Sequence, residues 1–549
     1  MTRLSGATAA IRSLIAHGID TVFGLPGGQL DHLFDALYHH RDRLRLIPSR
    51  HEQGAAYMAF GYARSTGRPS VYTVVPGPGV LNTTAALCTA YACNTPVLCL
   101  AGQIPSDAIG KGFGELHELP DQLGTLRLLT KSALRIDTPA AAPRTLARAF
   151  ESLLSGRPRP VAVEMAPDIM AREEDVIELE PRSIPIAGPD PAQIETAAAV
   201  IAAARAPMIY VGGGAIGATA AVRSLAELID APVVSFRSGR GIMPDEHPLG
   251  FTLPAGHRLW PKVDVLIGIG SRMVEPLRHW GVDENLKVVR IDIDPEEVAR
   301  AGEPTVGIVA DAAATLAALV PSIERRLSRR SNRRPELAAV KAAVARDIER
   351  VQPQLRYLNA IRQALPADGF FCDEITQCGF ASWYAFPVSR PREHINCGYQ
   401  GTLGYGYATA LGVKVAHPER PVVSIAGDGG FMFNLPEIAT AVQYGIGLKT
   451  IVFNSGSYAN VQRQQREWFG NRLIASDLRN PDFVKLAEAF GAAGYRANSP
   501  EELRSVLERS LGEKGPAIIE VPVGEMATPW PHILLPRSRP AAPAVSSQP

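Results

Sequence analysis

Short, continuous apolar runs recur along this chain, separated by segments with helical periodicity. Clear examples are TPVLCLAG at 95–102, PMIYVGGG at 207–214, VDVLIGIG at 263–270, PVVSIAG at 421–427 and KTIVFN at 449–454. Strands that are apolar on both faces are typical of parallel sheets covered by helices on both sides. The pattern therefore predicts an α/β fold of doubly wound parallel sheets, with ligand sites at the carboxyl ends of the strands.

The length of 549 residues is too great for one hydrophobic core and fits roughly three domains. Two polar segments are candidate linkers, a proline-bearing stretch at 172–192 and a highly charged one at 325–350. The last residues, 536–549, cannot bury a core, so we expect a disordered tail there. The expected domains are residues 1–170, 190–325 and 350–535.

Composition and charge exclude several classes of protein. The formal net charge is +1, which gives no sequence-wide attraction to nucleic acid or to anionic membranes. No apolar run reaches the roughly 20 residues that span a bilayer. Arg12 interrupts the apolar N-terminal stretch, which predicts an amphipathic helix rather than a secretory signal. Six cysteines in so long a chain are not a disulfide framework, so we expect a cytoplasmic protein.

The most informative segment is PVVSIAGDGGFMFNLPEIATAVQYGIGLKTIVFNSGS, in which two predicted strands end in polar turns. Asp428 follows the first strand, and Asn454 and Ser455 end the second. The amides after the GDGG turn lie near a helix predicted at 434–443, whose positive end favours anions. Mg²⁺ prefers oxygen ligands and bridges phosphate oxygens. The segment predicts a joint site for a divalent metal and a diphosphate, although GDGG alone is also a common strand-to-helix turn.

Further motifs occur in order along the chain. They are TVFGLPGGQLDHLFDAL, RHEQGAAYMAFGYARSTGRPSV, PGPGVLNT, TPVLCLAGQIP, GYQGTLGYGYATALG and, after the GDGG turn, NPDFVKLAEAFG. With them, residues 3–525 resemble the thiamine-diphosphate enzymes of the acetolactate synthase/2-oxo acid decarboxylase superfamily, in particular the acetolactate synthase large subunit. The resemblance implies a pyrimidine-binding, a central nucleotide-type and a diphosphate-binding domain, with thiamine diphosphate and Mg²⁺ as cofactors.

The resemblance identifies Glu52 with the glutamate that hydrogen-bonds the aminopyrimidine ring of the cofactor. In that role it protonates a ring nitrogen, and the imino group so favoured removes the proton at C2 of the thiazolium ring. Such a carboxyl needs a partly apolar pocket. Taken without the RHEQGAA context, Glu52 would be a first-turn helix residue. The other candidates at this end are Pro26, Gly28, Gly77 of the PGPG turn and Asn82 for the cofactor, and Gln29 as a catalytic residue.

By the same resemblance, Leu403 is the apolar wedge under the bent cofactor, and the carbonyl of Gly401 accepts the ring amine. Leu403 alone would be an ordinary core residue. The remaining cofactor candidates are Thr376, Gln377, Gly427, Gly429, Gly430, Ser455 and Tyr458, and the metal candidates are Asp428, Ser455 and the carbonyl of Ser457. In this family the two ends of the cofactor bind to different subunits, which implies a homodimer or a homotetramer.

Two departures from the synthase pattern concern the metal and the reacting centre. Ser455 stands where the family usually has Asn or Asp, and a hydroxyl is a weaker Mg²⁺ ligand, so Asn454 or water is an alternative ligand. The Phe-Gln-Glu of the synthases appears here as Leu116-His117-Glu118. His117 is either an acid/base near the substrate or a solvated loop histidine.

Two further departures concern the substrate and a flavin. Gln464 aligns with the aromatic residue that selects the second oxo acid in the synthases, so a different substrate preference is expected. In the middle domain, GGG at 212–214, GSR at 270–272 and RIDID at 290–294 resemble the nucleotide-type domain, but 250–260 matches the flavin-contacting segment poorly. FAD, ADP and an empty domain stay open, since a GGG turn is weak evidence for a nucleotide.

The expected function is decarboxylation and carboligation of small 2-oxo acids, dependent on thiamine diphosphate and Mg²⁺. The alternatives are a non-carboligating decarboxylase, a C–C bond hydrolase or lyase, a non-catalytic paralogue, and an FAD or NAD oxidoreductase. Retention of Glu52, Leu403 and Asp428 argues against the paralogue.

Overall fold

The structure, a computed structural model, describes residues 1–327 and 332–539. It contains three six-stranded sheets with helices between successive strands, which confirms the predicted α/β class of three parallel-sheet domains. Within the part of the chain that is described, no helix has the length and apolar character needed to cross a membrane.

The N-terminal sheet is built from the apolar runs of the first third of the chain, and its pairings are parallel. In spatial order its strands are Arg45–Pro48, Thr21–Gly24, Ser70–Val74, Val97–Gly102, Val161–Met165 and Ala133–Ile136. The strand order reverses between Thr21–Gly24 and Ser70–Val74, and ligands of doubly wound sheets bind at such a switch point. The helices are Gly6–Ala16, Asp31–His39, Glu52–Thr66, Pro78–Asn82, Thr84–Ala92, Gln122–Leu129, Ala142–Leu154 and Pro167–Ala171. An antiparallel pair, Thr2–Ser5 with Glu173–Val176, lies apart from this sheet.

The central sheet is parallel throughout. Its strands, in spatial order, are Gly250–Phe251, Val233–Ser235, Pro207–Val211, Val265–Ile269, Lys287–Asp292 and Val306–Val309. Its helices are Pro191–Ala202, Thr219–Ile229, Leu253–Leu259, Pro295–Ala299 and Ala312–Arg326, followed by Arg334–Ile348 and Gln354–Ala364. Near the end of the chain, the amide of Ser538 donates to the carbonyl of Trp280 at 2.9 Å. Of the tail predicted at 536–549, residues 540–549 lie outside the described residues.

The C-terminal sheet repeats the strand order of the N-terminal one. Its strands, in spatial order, are His394–Ile395, Phe370–Cys372, Val422–Gly427, Lys449–Asn454, Ala517–Pro522 and Ala493–Arg496. The switch point lies between Phe370–Cys372 and Val422–Gly427, which is where Thr376 and Asp428 follow their strands. The helices are Gln377–Ala385, Gly406–Ala416, Asp428–Phe431, Glu437–Gln443, Ala459–Trp468, Phe483–Ala489 and Pro500–Leu511.

The helix predicted at 434–443 differs in the structure. A four-residue helix, Asp428–Phe431, begins directly at the metal-site candidate, and the next helix starts only at Glu437. Pro436 is the N-cap of that second helix. The amides nearest the predicted diphosphate therefore belong to the short helix.

The N- and C-terminal sheets form one compact unit, made of Met1–Ile184, Ala364–Thr376 and Ile395–Gly524. The central sheet forms a second unit together with Gln377–His394 and the described residues after 524. The three sheet domains therefore lie in two compact units, and the N- and C-terminal sheets share one of them.

In the first unit, the helix Glu52–Thr66, here called the acid helix, packs directly on the helix Gly406–Ala416. A Cβ atom at Gly61 would lie 1.9 Å from the carbonyl oxygen of Thr409, and one at Gly412 would lie 1.9 Å from that of Met58. The two backbones are therefore closer than any side chain permits, and fully buried residues such as Met58 and Leu411 fill the space around them.

We expect Gly61→Ala to destabilise the protein, because the added methyl group collides with main-chain atoms that cannot rotate away. Overpacking of a core costs about 1–3 kcal/mol, so the midpoint of thermal unfolding should fall. Gly217→Ala is the control, since a Cβ atom at Gly217 meets nothing within 4 Å. Equal midpoints for the two variants would contradict this close packing.

Candidate active site

Glu52 and Asn82 meet at the N-terminal switch point. Glu52 is the first residue of the acid helix, after the N-cap residue His51. Asn82 ends the short helix Pro78–Asn82, and its Nδ2 donates to Oε2 of Glu52 at 3.0 Å. Glu52 is thus a first-turn residue and, at the same time, carries a carboxylate that is half-exposed and oriented by a neighbouring amide.

A second group of candidates surrounds the turn at 116–117. Buried Gln29 donates from Nε2 to the carbonyl of Leu116 at 3.0 Å. Gly77 has φ +60°, and a Cβ atom there would lie 2.4 Å from the carbonyl oxygen of His117. The amide of Gly77 donates to Oε1 of Gln122 at 2.9 Å. Gln29 therefore binds the turn that carries His117, and the missing side chain at Gly77 lets this turn approach closely.

The loop before His117 is held by the side-chain carboxylate of Glu118. Glu118 accepts hydrogen bonds from the amides of Gly112, Gly114 and Glu115 at 3.1, 2.7 and 2.9 Å. His117 is half-buried with φ +67°, and its Nδ1 is buried without a hydrogen-bond partner among the described residues. The ring is consequently held in a defined loop. Pro26 and Gly28, at the start of the neighbouring turn, are exposed.

The wedge candidate lies against the GDGG turn. A Cβ atom at Gly430 would lie 3.1 Å from Cδ1 of Leu403. Leu403 is only half-buried, so part of its side chain is accessible to a ligand. Gly401, two residues earlier, is exposed with φ +61°. The structure thus brings together Leu403 and Gly430, two residues that the resemblance assigns to one cofactor.

The turn at residues 401–406, which contains Leu403, is here called the wedge turn. It is held by a buried carboxylate that sequence reasoning missed. Glu374 accepts hydrogen bonds from the amides of Ile375 at 2.8 Å, Gly404 at 3.1 Å and Gly406 at 2.8 Å. Burial raises the pKa of its carboxyl to about 7, while the amide hydrogen bonds oppose the shift. The signal in the sequence was a pair of acids, Asp373 and Glu374, after the strand Phe370–Cys372 at the switch point.

The metal corner joins the ends of two neighbouring strands. Asp428 is buried, and burial raises the pKa of its carboxyl. Asn480 donates from Nδ2 to Oδ2 of Asp428 at 2.7 Å and to Oδ1 of Asn454 at 2.9 Å. Asn480 was also missed, although it is the first residue of the NPDF motif. It links the two polar turns that the sequence predicted as one site.

The donor atoms at this corner are all oxygens. Ser455 donates from Oγ to the carbonyl of Ser457 at 3.1 Å, and Asn454 is oriented because its Nδ2 donates to Glu520 at 2.7 Å. The described residues contain no cluster of three or more His, Cys, Asp or Glu side chains suited to a metal. One carboxylate with neutral oxygens fits Mg²⁺, which completes its shell with water and substrate phosphates.

The other diphosphate candidates lie around the same turns. A Cβ atom at Gly427 would lie 3.4 Å from the side chain of Thr376, and one at Gly429 would lie 2.4 Å from the ring of Tyr458. Gln377 is buried but belongs to the second compact unit. Gln464 lies half-exposed on the helix Ala459–Trp468.

The GGG turn of the central sheet uses its amides internally. Gly212 donates to the carbonyl of Ile269 and Gly214 to that of Gly270, each at 3.1 Å. Two of the three amides that could bind a phosphate are therefore already satisfied. The turn therefore offers a phosphate fewer free amides than an open glycine-rich loop does.

Comparisons with known proteins match this arrangement of domains. Three family profiles fit the chain, described as thiamine pyrophosphate enzyme, N-terminal TPP binding domain (residues 4–125), central domain (194–319) and C-terminal TPP binding domain (374–521). An acetolactate synthase from Arthrospira platensis is 34% identical over 95% of this chain and 94% of its own length. The chain belongs to the thiamine pyrophosphate enzyme family.

Other relatives of this thiamine pyrophosphate enzyme have two kinds of names. A probable acetolactate synthase large subunit from Methanocaldococcus jannaschii is 32% identical, over 94% of this chain and 92% of the relative. A probable 2-ketoarginine decarboxylase from Pseudomonas aeruginosa is also 32% identical, over 94% of both chains. Each match extends over all three domains of this chain.

We expect Asn480→Ala to weaken Mg²⁺ binding in this thiamine pyrophosphate enzyme, because Asp428 and Asn454 lose the donor that orients both. Removing such a supporting residue typically lowers metal affinity about 10–100-fold. The dissociation constant of Mg²⁺, measured by calorimetry at saturating thiamine diphosphate, checks this. Asn498→Ala, which removes an exposed hydrogen bond to Glu502, is the control. An unchanged constant in Asn480→Ala would contradict the role of this bridge.

Proposed function

We propose that this enzyme catalyses the decarboxylation of a small 2-oxo acid and the transfer of the resulting fragment to a second carbonyl compound, with thiamine diphosphate and Mg²⁺, as an acetolactate-synthase-like carboligase. The observation that carries the proposal is the pair of half-sites at equivalent switch points. One presents Glu52, hydrogen-bonded to Asn82 at 3.0 Å, and the other an all-oxygen corner at Asp428.

The residues present would hold the cofactor at both ends. Asp428, Ser455 and the carbonyl of Ser457 would ligate Mg²⁺, and the amides of the short helix Asp428–Phe431 would bind the diphosphate. Leu403 would support the bent form from below. When bound, thiamine diphosphate supplies the nucleophilic carbon and the electron sink that decarboxylation of a 2-oxo acid requires.

Glu52 has the proton-transfer role in this proposal. Its carboxyl would hold the proton that the aminopyrimidine ring of bound thiamine diphosphate requires, and Asn82, which donates to it, would fix its orientation. Its half-buried position supports this, because a carboxyl that is neither fully solvated nor sealed from the ligand can exchange a proton with it.

His117, Gln29 and Gln464 would contact the substrates. We propose that His117 acts as acid/base at the 2-oxo acid, since Gln29 binds its loop near the N-terminal switch point and Gly77 lets the loop approach closely. Gln464 would select the acceptor, where an amide favours a more polar partner than the aromatic residue of the synthases does.

Decarboxylation without carboligation is the second candidate. One of the similar proteins is named as a probable 2-ketoarginine decarboxylase, which favours this candidate. His117 favours it too, because its imidazole would supply the proton that replaces the second carbonyl compound. C–C bond hydrolysis or lysis belongs to the same alternative. A flavin is not part of the proposal, because the GGG amides of the central domain are engaged within the protein.

We propose a homodimer or homotetramer in which Glu52 and Asp428 of different subunits face one cofactor. Exposed apolar side chains lie next to both half-sites in the sequence. Leu81 precedes Asn82 in one half-site, and Met432 and Phe433 follow the GDGG turn of the other. In the proposed oligomer another subunit covers these side chains. All six cysteines are free, which supports the cytoplasm as the compartment.

Glu52→Gln should leave folding and cofactor binding intact and reduce turnover about 10²–10⁴-fold, because a positioned proton-transfer group is lost. Steady-state kinetics with the preferred 2-oxo acid measures this. Glu173→Gln, at an exposed glutamate paired with Arg3, is the control. Turnover of Glu52→Gln equal to that of the control would refute the role of Glu52.

Incubation with pyruvate as the only substrate separates the two candidate functions. Carboligation predicts acetolactate as the main product, whereas simple decarboxylation predicts acetaldehyde. Quantifying both products against consumed pyruvate gives the ratio. If neither product forms while the enzyme binds thiamine diphosphate, the donor is a different 2-oxo acid and the pyruvate-based carboligase proposal is wrong.

A further inference from the structure

A fully buried carboxylate, that of Glu437, joins the C-terminal domain to the start of the acid helix. Glu437 begins the helix Glu437–Gln443. Its Oε1 accepts from the main-chain amides of Arg50 and His51, each at 3.0 Å. Its Oε2 lies 3.2 Å from the amide of Arg50 and accepts from the hydroxyl of Thr440 at 2.6 Å. No motif of the sequence pointed to this residue.

The amides that Glu437 binds belong to the two residues directly before Glu52. His51 is the N-cap of the acid helix, so its main chain sets where and in which direction that helix begins. The carboxylate reaches these amides because position 54 is glycine: a Cβ atom at Gly54 would lie 2.2 Å from Oε1 of Glu437.

A second hydrogen bond ties the same segment to the same helix. The guanidinium of Arg50 donates to the side-chain oxygen of Gln443 at 2.7 Å. The residues before Glu52 are thus bound to both the first and the last residue of the helix Glu437–Gln443.

The carboxylate is itself rigidly placed. Burial raises the pKa of Glu437, whereas its hydrogen bonds to Thr440, Arg50 and His51 stabilise the ionised form. Asn434, three residues earlier, donates from Nδ2 to the carbonyl of Gly404 in the wedge turn. The segment from Asp428 to Glu437 therefore begins in the metal corner and binds both the wedge turn and the residues before the acid helix.

We propose that Glu437 is a positioning residue for Glu52. By binding the amides of residues 50 and 51, it fixes the start of the acid helix and holds the Glu52 carboxyl at the distance from the aminopyrimidine ring that proton transfer requires. This inference rests on the proposed function of Glu52. A misplacement of about 1 Å at a reacting group can lower a rate about 10²-fold, so loss of Glu437 should impair proton transfer more than cofactor binding.

The test compares Glu437→Ala, Glu437→Gln and Gly54→Ala with wild type and with the surface control Glu508→Ala. Three quantities are measured: hydrogen–deuterium exchange of the amides at 49–54 in the cofactor-free protein, the dissociation constant of thiamine diphosphate with Mg²⁺, and the rate of deuterium exchange at C2 of the bound cofactor. The glutamine variant keeps one oxygen that can accept from Arg50 and His51.

We expect Glu437→Ala and Gly54→Ala to lose amide protection at 49–54 and to slow exchange at C2 about tenfold or more, with little change in the dissociation constant. Glu437→Gln should stay close to wild type in all three. Exchange at C2 at the wild-type rate in Glu437→Ala would overturn the inference. If that variant does not fold, a wild-type rate in Gly54→Ala overturns it instead.

Failure of the inference is distinguishable from failure of the proposed function. If wild type itself neither binds thiamine diphosphate nor exchanges the C2 proton, the proposed function is wrong, and the inference falls with it. If wild type does both and the Glu437 and Gly54 variants match it, only the positioning role is wrong.

Discussion

Backbone-to-backbone packing between the acid helix and the helix Gly406–Ala416 is the constraint on which the candidate site depends. Their close approach at Gly61 and Gly412 leaves little freedom to slide, because main-chain atoms face each other. Glu374 binds the amides of Gly404 and Gly406 at the start of one helix, and Glu437 binds the amides before the other. One rigid contact region of each chain therefore positions both the wedge turn and Glu52, which in the proposed oligomer belong to two different cofactor sites.

The sequence predicted the fold class and the broad layout because both follow from local signals. Apolar runs without alternation indicate parallel strands, and polar residues after such strands indicate ligand sites. On this basis Asp428 and Ser455 were expected together, and the structure joins their turns through Asn480. The pairing of Glu52 with Asn82 needed the family resemblance, since nothing local relates a helix N-terminus to the end of another short helix.

The residues that sequence reasoning missed share one property: their role depends on contacts between distant parts of the chain. Glu437 binds amides 386 and 387 residues away. Glu374 binds amides about thirty residues later in the chain, which approach it only in the folded protein. Glu437 has no local motif, Glu374 is marked only by its place after a strand, and a buried acid is usually predicted to be exposed. The helix expected at 434–443 begins later, at Glu437, and a separate four-residue helix, Asp428–Phe431, precedes it.

The central claim is that Glu52 of one subunit and Asp428 of another act on the same cofactor. Co-expression of Glu52→Gln and Asp428→Ala chains with different affinity tags, followed by purification of the mixed dimer, tests it most directly. Each mixed dimer then has one site with both defects and one intact site, so activity should return to about half of the wild-type value, while each variant alone stays inactive. A mixed dimer as inactive as its parents would contradict the shared site.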